Sequence, residues 1–150
     1  MAQKISENKE LSARIMAVQA YYEITQNGKP IRIAAQEHLE RDQYTDIDGE
    51  ELPKPHGGLF KRILSSVDSR KKEVEDIINT QCPPKESGKE IEPLLKAILV
   101  CGVTEVLSHD DIDTALIIDD YLNVTHCYYE KQQVSLVNGV LDKVAKLIRA

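Results

Sequence analysis

The chain has 150 residues and 16.9 kDa, of which 41% are hydrophobic and 29% charged, with a formal net charge of −6. That is apolar material enough for one globular domain, which excludes both a solvated disordered tail and a multidomain machine. The acidic balance excludes indiscriminate coating of nucleic acid, whose affinity comes from phosphate neutralisation.

In chain order, apolar residues recur at spacings of three and four with almost no β-type alternation, so the chain is expected to be all-α, a helical bundle. Leu11, Ile15, Val18 and Tyr22 form the first stripe, over a helix of about 5–26 that Asn27-Gly28 stops. Pro30 starts a shorter helix to about residue 43, with Ile31, Ala34, Ala35 and His38 on one side. Asp46, Asp48, Gly49, Pro53, Pro55 and Gly57-Gly58 punctuate a long polar loop. Phe60, Ile63, Leu64, Val67, Val74, Ile77 and Ile78 then carry a stripe to about residue 80, with a break expected where small and polar residues cluster at Ser65–Ser69. Ile91, Leu94, Leu95, Ile98, Leu99, Val103 and Val106 leave few polar faces, placing that helix at the centre. Two more helices are expected over about 113–129 and 131–148, the last striped by Val134, Val137, Leu141, Val144 and Ile148.

Charge is segregated. Residues 54–72 hold six cations (Lys54, Lys61, Arg62, Arg70, Lys71, Lys72) against Asp68, whereas residues 97–130 hold seven acids and no cation. Such fields suit two partners of opposite charge, or are simply solvated helix surface. Apolar stretches fall far short of a bilayer span, and the first ten residues lack the apolar segment of a signal peptide, so a cytoplasmic protein without membrane association is expected. Cys82, Cys101 and Cys127 are odd in number and at no metal-ligand spacing, as for reduced thiols.

The nucleophile elbow and the glycine-rich phosphate loops are absent, and Asp46–Glu51 lacks the remaining ligands of a calcium loop. No enzyme activity, cofactor or metal is expected. One local anomaly is Asn138-Gly139 inside the cleanest amphipathic helix, where glycine costs ~1 kcal/mol relative to alanine. A helix crossing too close for any side chain at Gly139, with Asn138 bonding a neighbouring backbone, would account for it; a chance surface glycine is the bland alternative.

Val137-Asn138-Gly139-Val140-Leu141-Asp142-Lys143 resembles V-N-G-V-L-D-K, a signature of the NusB family of bacterial transcription antitermination factors. Arg14 with Ala17-Val18-Gln19-Ala20-Tyr21-Tyr22 resembles the family's R-x-x-A-V-Q-A-L-Y, residues 59–67 its third-helix segment, and residues 96–105 its K-A-V-L-R-x-A-x-Y-E. Asp111-Ile112 and Ile118-Asp119-Asp120 fall where the family has a D-[IV]-P turn and then I-N-E. The resemblance implies two three-helix halves, about 1–81 and about 90–150, in a single domain. It also implies transcription regulation through RNA binding: a heterodimer with NusE, which is ribosomal protein S10, on boxA single-stranded RNA of ribosomal RNA operons, joined indirectly to RNA polymerase.

Carried onto this chain, the family's arginine-rich arm leaves Lys4, Lys9 and Arg14 as RNA-binding residues, with Glu7, Glu10, Leu11 and Ser12 intruding. On the last two helices the matching RNA-binding positions are Tyr128 and Gln132, and Leu136 stands in place of a phenylalanine. Tyr22 and Leu95 match partner-binding positions; Leu95 replaces an acid, Val100 and Thr104 replace Arg and Tyr, and Asp119 replaces Asn. Tyr22 reads equally as a core tyrosine with its hydroxyl at the edge. The depleted arm leaves a second reading open, a helical protein-interaction module with weak or lost RNA binding. An exposed partner face could also support a homodimer.

Overall fold

Six helices and one minimal β-ladder make up the described part of a computed structural model, which covers residues 8–41, 44–45, 49, 51–52, 54–82 and 91–149. α1 (Lys9–Asn27) starts where Asn8 Oδ1 accepts a hydrogen bond from Leu11 N at 2.9 Å. It stops at Gly28, whose φ of 66° is the left-handed conformation glycine tolerates and whose N–H donates to Ile24 O. Pro30 precedes α2 (Ile31–Leu39), which ends earlier than its sequence pattern suggested: beyond Leu39 the chain offers Glu40 and Arg41, with nothing to bury. The expected loop contains a two-residue antiparallel ladder, β1 (Tyr44–Thr45) with β2 (Glu51–Leu52), Tyr44 opposite Leu52.

His56 Nδ1 accepts from Leu59 N at 3.0 Å and opens α3 (Gly57–Gln81). Its break falls at Arg70 (φ −117°, ψ 18°), just past the polar cluster that announced it. α4 (Pro93–Ser108) has proline in its first turn, α5 spans Thr114–His126, and α6 spans Lys131–Ile148 as its stripe indicates.

α4 is the axis. Every residue from 97 to 107 is buried, and the helix packs against α1, α3, α5 and α6 in one contiguous apolar core. Its crossing with α5 and α6 is the tight one: a Cβ at Gly102 would lie 3.0 Å from Leu141 Cδ2 and 3.4 Å from Tyr121 Cγ. The close approach expected at Gly139 is therefore corrected. A Cβ there would meet nothing within 4 Å, and Asn138 and Gly139 are both exposed. Val137, Val140, Leu141 and Val144 turn to the core, and at about 100° per residue that leaves positions 138 and 139 facing outward.

Arg149 ties the end of the chain to this axis. Its guanidinium donates to the carbonyls of Val106 (2.8 Å), His109 (2.7 Å), Ile112 (2.7 Å) and Glu105 (3.3 Å) and to Thr114 Oγ1 (3.0 Å). A cation thus caps the last turn of α4 and the turn that follows it, where the helix dipole favours positive charge.

Candidate RNA and partner interface

The first half of α1 is enclosed on all sides, residues 11–18 being buried without exception. Arg14 lies inside that stretch at 1% exposure, so it is withdrawn from any RNA-binding arm. Its Nε donates to Glu105 Oε2 at 2.8 Å, Nη2 to Glu105 Oε1 at 3.0 Å and Nη1 to Asp120 Oδ2 at 2.8 Å. Tyr121 OH donates to Glu105 Oε2, and His109 Nδ1 lies 2.9 Å from Glu105 Oε1. Burial pushes the Glu105 carboxyl up, but hydrogen bonds from His109 and Arg14, the Arg14 charge and the Tyr121 hydroxyl together hold it below the usual carboxylate range. Asp120 is raised by burial, which Arg14 only partly offsets. Tyr121 is raised well above the ordinary phenol value, chiefly by burial and then by the Glu105 charge.

A cluster of acid, imidazole and phenol resembles catalytic machinery in composition. Here Arg14, Glu105, His109, Asp120 and Tyr121 are each between 0% and 2% exposed, closed to any substrate, and their charges satisfy one another. Two of the seven acids that make residues 97–130 look negative are spent in this way. A third, Asp111, is paired with Arg62 on α3, whose hydrogen bond and charge lower it to about 2. No grouping of three or more His, Cys, Asp or Glu among the described residues is arranged to hold a metal ion. No described helix is long and apolar enough to cross a membrane.

The other expected site residues separate into surface and core. Lys4 lies outside the described residues. Lys9 is exposed at the start of α1, and its carbonyl accepts from His56 N at 3.1 Å. Tyr128 sits half-buried in the turn after α5, its hydroxyl accepting from Gln19 Nε2 at 2.9 Å; Gln132 is exposed in the first turn of α6. Leu136, one turn further on, is 39% exposed.

On the partner side, Tyr22 is 36% exposed and continues the Gln19 face of α1 one turn on, while Tyr21 takes the core position at 3%. The first apolar stripe therefore holds only through Val18; past that point α1 is covered on the Tyr21 side alone. Tyr129 lies within electrostatic reach of Tyr22 and donates its hydroxyl to Glu92 Oε1 at 2.8 Å. Leu95 does not join this surface. At 6% exposure it belongs to the core with Val100 and Thr104, both at 0%, which corrects its expected role as a partner contact. Gln19 was not singled out in the sequence; the signal was its place between Val18 and Ala20, on the opposite side of the stripe from the core.

The NusB family model matches residues 11–146. Among curated relatives, the transcription antitermination protein NusB of Bartonella henselae is 30% identical over 142 residues, 95% of this chain and 90% of its own length. That of Novosphingobium aromaticivorans is 26% identical over 146 residues, 97% and 99% respectively. A solved structure of T. maritima NusB superposes with a TM-score of 0.71 at 16% identity, covering 97% of this chain and 93% of that one, and so shares the all-α fold. By fold, by the order of its helices and by a match over almost all of its length, the chain belongs to the NusB family.

Proposed function

We propose that this protein is a transcription antitermination factor of the cytoplasm that binds boxA-type single-stranded RNA as a heterodimer with NusE, ribosomal protein S10. In that form it joins the RNA polymerase complex on ribosomal RNA operons. One observation carries the reading: the Gln19–Tyr128 hydrogen bond holds the α5–α6 junction against α1, one turn from the exposed ring of Tyr22. RNA-facing and partner-facing candidates thus share one continuous surface. Single strands are held by stacking on flat side chains and by cations along the backbone, which Tyr128 and Lys9 supply, while the exposed Gln132 amide can hydrogen-bond base edges. A basic ribosomal protein suits the other end, where exposed Glu92 and Glu130 flank Tyr129 beside Tyr22.

The burial of Arg14 favours one further reading, an interaction module with the same fold and weak RNA binding, since Lys9 is then the only member of the arm on the described surface. Titration of labelled boxA RNA with and without NusE decides. Tighter binding to boxA than to a scrambled strand in the presence of NusE supports antitermination. Equal binding to both strands, with NusE still co-purifying, supports the interaction module.

A further inference from the structure

We propose that the outer face of α3 extends the RNA path, with Lys61, Lys71 and Lys72 binding the phosphate backbone of single-stranded RNA that flanks the segment held at α1 and Tyr128. The inference rests on the RNA-binding reading above and adds a second, sequence-independent contact to it.

Three features converge on this face. Before the break at Arg70, Lys61, Ser65 and Asp68 follow one line along α3 at about 100° per residue, and Lys71 and Lys72 open the segment beyond it; all five are exposed. Opposite them Phe60, Ile63, Leu64 and Val67 are buried. These lysines are also available. Arg14, Lys29, Arg41, Arg62, Arg70 and Lys146 each have a carboxylate partner, whereas Lys54, Lys61, Lys71 and Lys72 have none among the described residues.

The face is continuous with the proposed site as well. The His56 N to Lys9 O hydrogen bond brings the start of α3 to the start of α1, so Lys9, Lys54 and Lys61 follow one another around a single corner. On the far side the track is bordered by the Arg62–Asp111 pair and by exposed Asp110 and Asp113, which repel a polyanion and confine it to the lysine line.

The occupant follows from the chemistry of the face. Over residues 61–72 it presents Lys61, Lys71 and Lys72, exposed Ser65 and Ser69 and one acid, Asp68; beyond Lys72, Glu73, which pairs with Arg70, and exposed Asp76 mark its end, and no aromatic or aliphatic side chain is exposed between them. A protein partner needs such an anchor, whereas a phosphate backbone needs only positive charge and a low surface to approach.

The test uses the full chain with NusE and five probes: a boxA strand, a scrambled strand, the boxA strand with single-stranded uridine extensions at both ends, a uridine homopolymer and polyglutamate. Lys61→Gln/Lys71→Gln/Lys72→Gln is expected to leave boxA affinity unchanged, to abolish the gain from the extensions, and to reduce the slope of log K against log salt on extended RNA by about 2. Asp68→Asn, which removes the one acid from the line, is expected to increase the gain. No gain from the extensions in the unmodified protein, or a gain that the triple variant retains, overturns the α3 track while leaving the boxA reading intact. Failure of boxA to outcompete a scrambled strand, with homopolymer binding still lost in the triple variant, removes the antitermination reading and keeps the track. Loss of polyglutamate binding rather than RNA binding in the triple variant assigns the face to an acidic protein and overturns the proposal.

Discussion

Arg14 of α1 and Glu105 of α4, 91 residues apart in sequence, face each other as a two-pronged ion pair at 2.8 and 3.0 Å, with 1% and 0% exposure. Glu105 also takes hydrogen bonds from Tyr121 of α5 and from His109 beyond α4. The pair joins the first helix to the central one at the point where the apolar core would otherwise be interrupted by an isolated charge.

Removing the acceptor should therefore be severe. Glu105→Gln leaves the Arg14 charge buried with Asp120 alone and is expected to lower unfolding free energy by about 3–5 kcal/mol in urea titrations. Asp120→Asn keeps an oxygen for Arg14 Nη1 and should lower it by about 1 kcal/mol. Equal losses in the two variants would show that the two carboxylates share the Arg14 charge evenly.

The same pair predicts the acid limb of stability. The Glu105 carboxyl is held below its ordinary value in the folded chain, so its contribution is present above the unfolded value of about 4.3 and is lost as pH falls through the folded value. Asp120 has the opposite sign: its raised value makes folding less favourable as pH rises through it. Melting temperatures of the Glu105→Gln and unmodified proteins should differ by a steady amount from pH 7 down to about 4.3 and converge only as pH falls further. A difference that persists undiminished well below that pH would refute the assignment.

The two helical glycines should respond oppositely to alanine. Gly139→Ala, with open space around it, is expected to stabilise by about 0.5–1 kcal/mol. Gly102→Ala must push the methyls of Leu141 aside while that residue is held at 0% exposure and Tyr121 already stands at contact distance, so a loss of about 1–3 kcal/mol is expected in the same denaturation assay.

Arg149 should matter more than its place just past the end of α6 suggests. Lysine cannot reproduce its planar fork across four carbonyls, so Arg149→Lys should destabilise by about 2 kcal/mol and speed amide exchange in the turn between α4 and α5. Unchanged exchange there would mean the carbonyls find water at no loss.

Much of this architecture was legible in the residues. α6 begins and ends where its stripe does, and the uniform hydrophobicity of α4 announced its central place. Asn27-Gly28 and Pro30 marked the junction of α1 and α2 because backbone conformation there is dictated locally. What failed was whatever depended on a distant partner. Arg14 resembled a member of a cationic arm, although its neighbours on the helix face, Leu11 and Val18, already placed it on the buried stripe; only the fold brings Glu105 and Asp120 to it. Gly139 drew attention because glycine is rare in helices, yet close packing selects on the facing helix, and the glycine it required was Gly102. Tyr128 was named from the family resemblance, whereas its hydrogen bond to the Gln19 amide, 109 residues away, depends on the fold.

The most direct test of the interface is the affinity of boxA RNA for the NusE-bound protein carrying Tyr128→Ala or Tyr128→Phe. Base stacking on an aromatic ring is worth about 1–3 kcal/mol, so the alanine variant should bind roughly 5- to 150-fold more weakly. Phenylalanine, which keeps the ring and loses the Gln19 hydrogen bond, should remain within a few-fold of the unmodified protein. Undiminished affinity in Tyr128→Ala would contradict the placement of RNA at the junction of α1, α5 and α6.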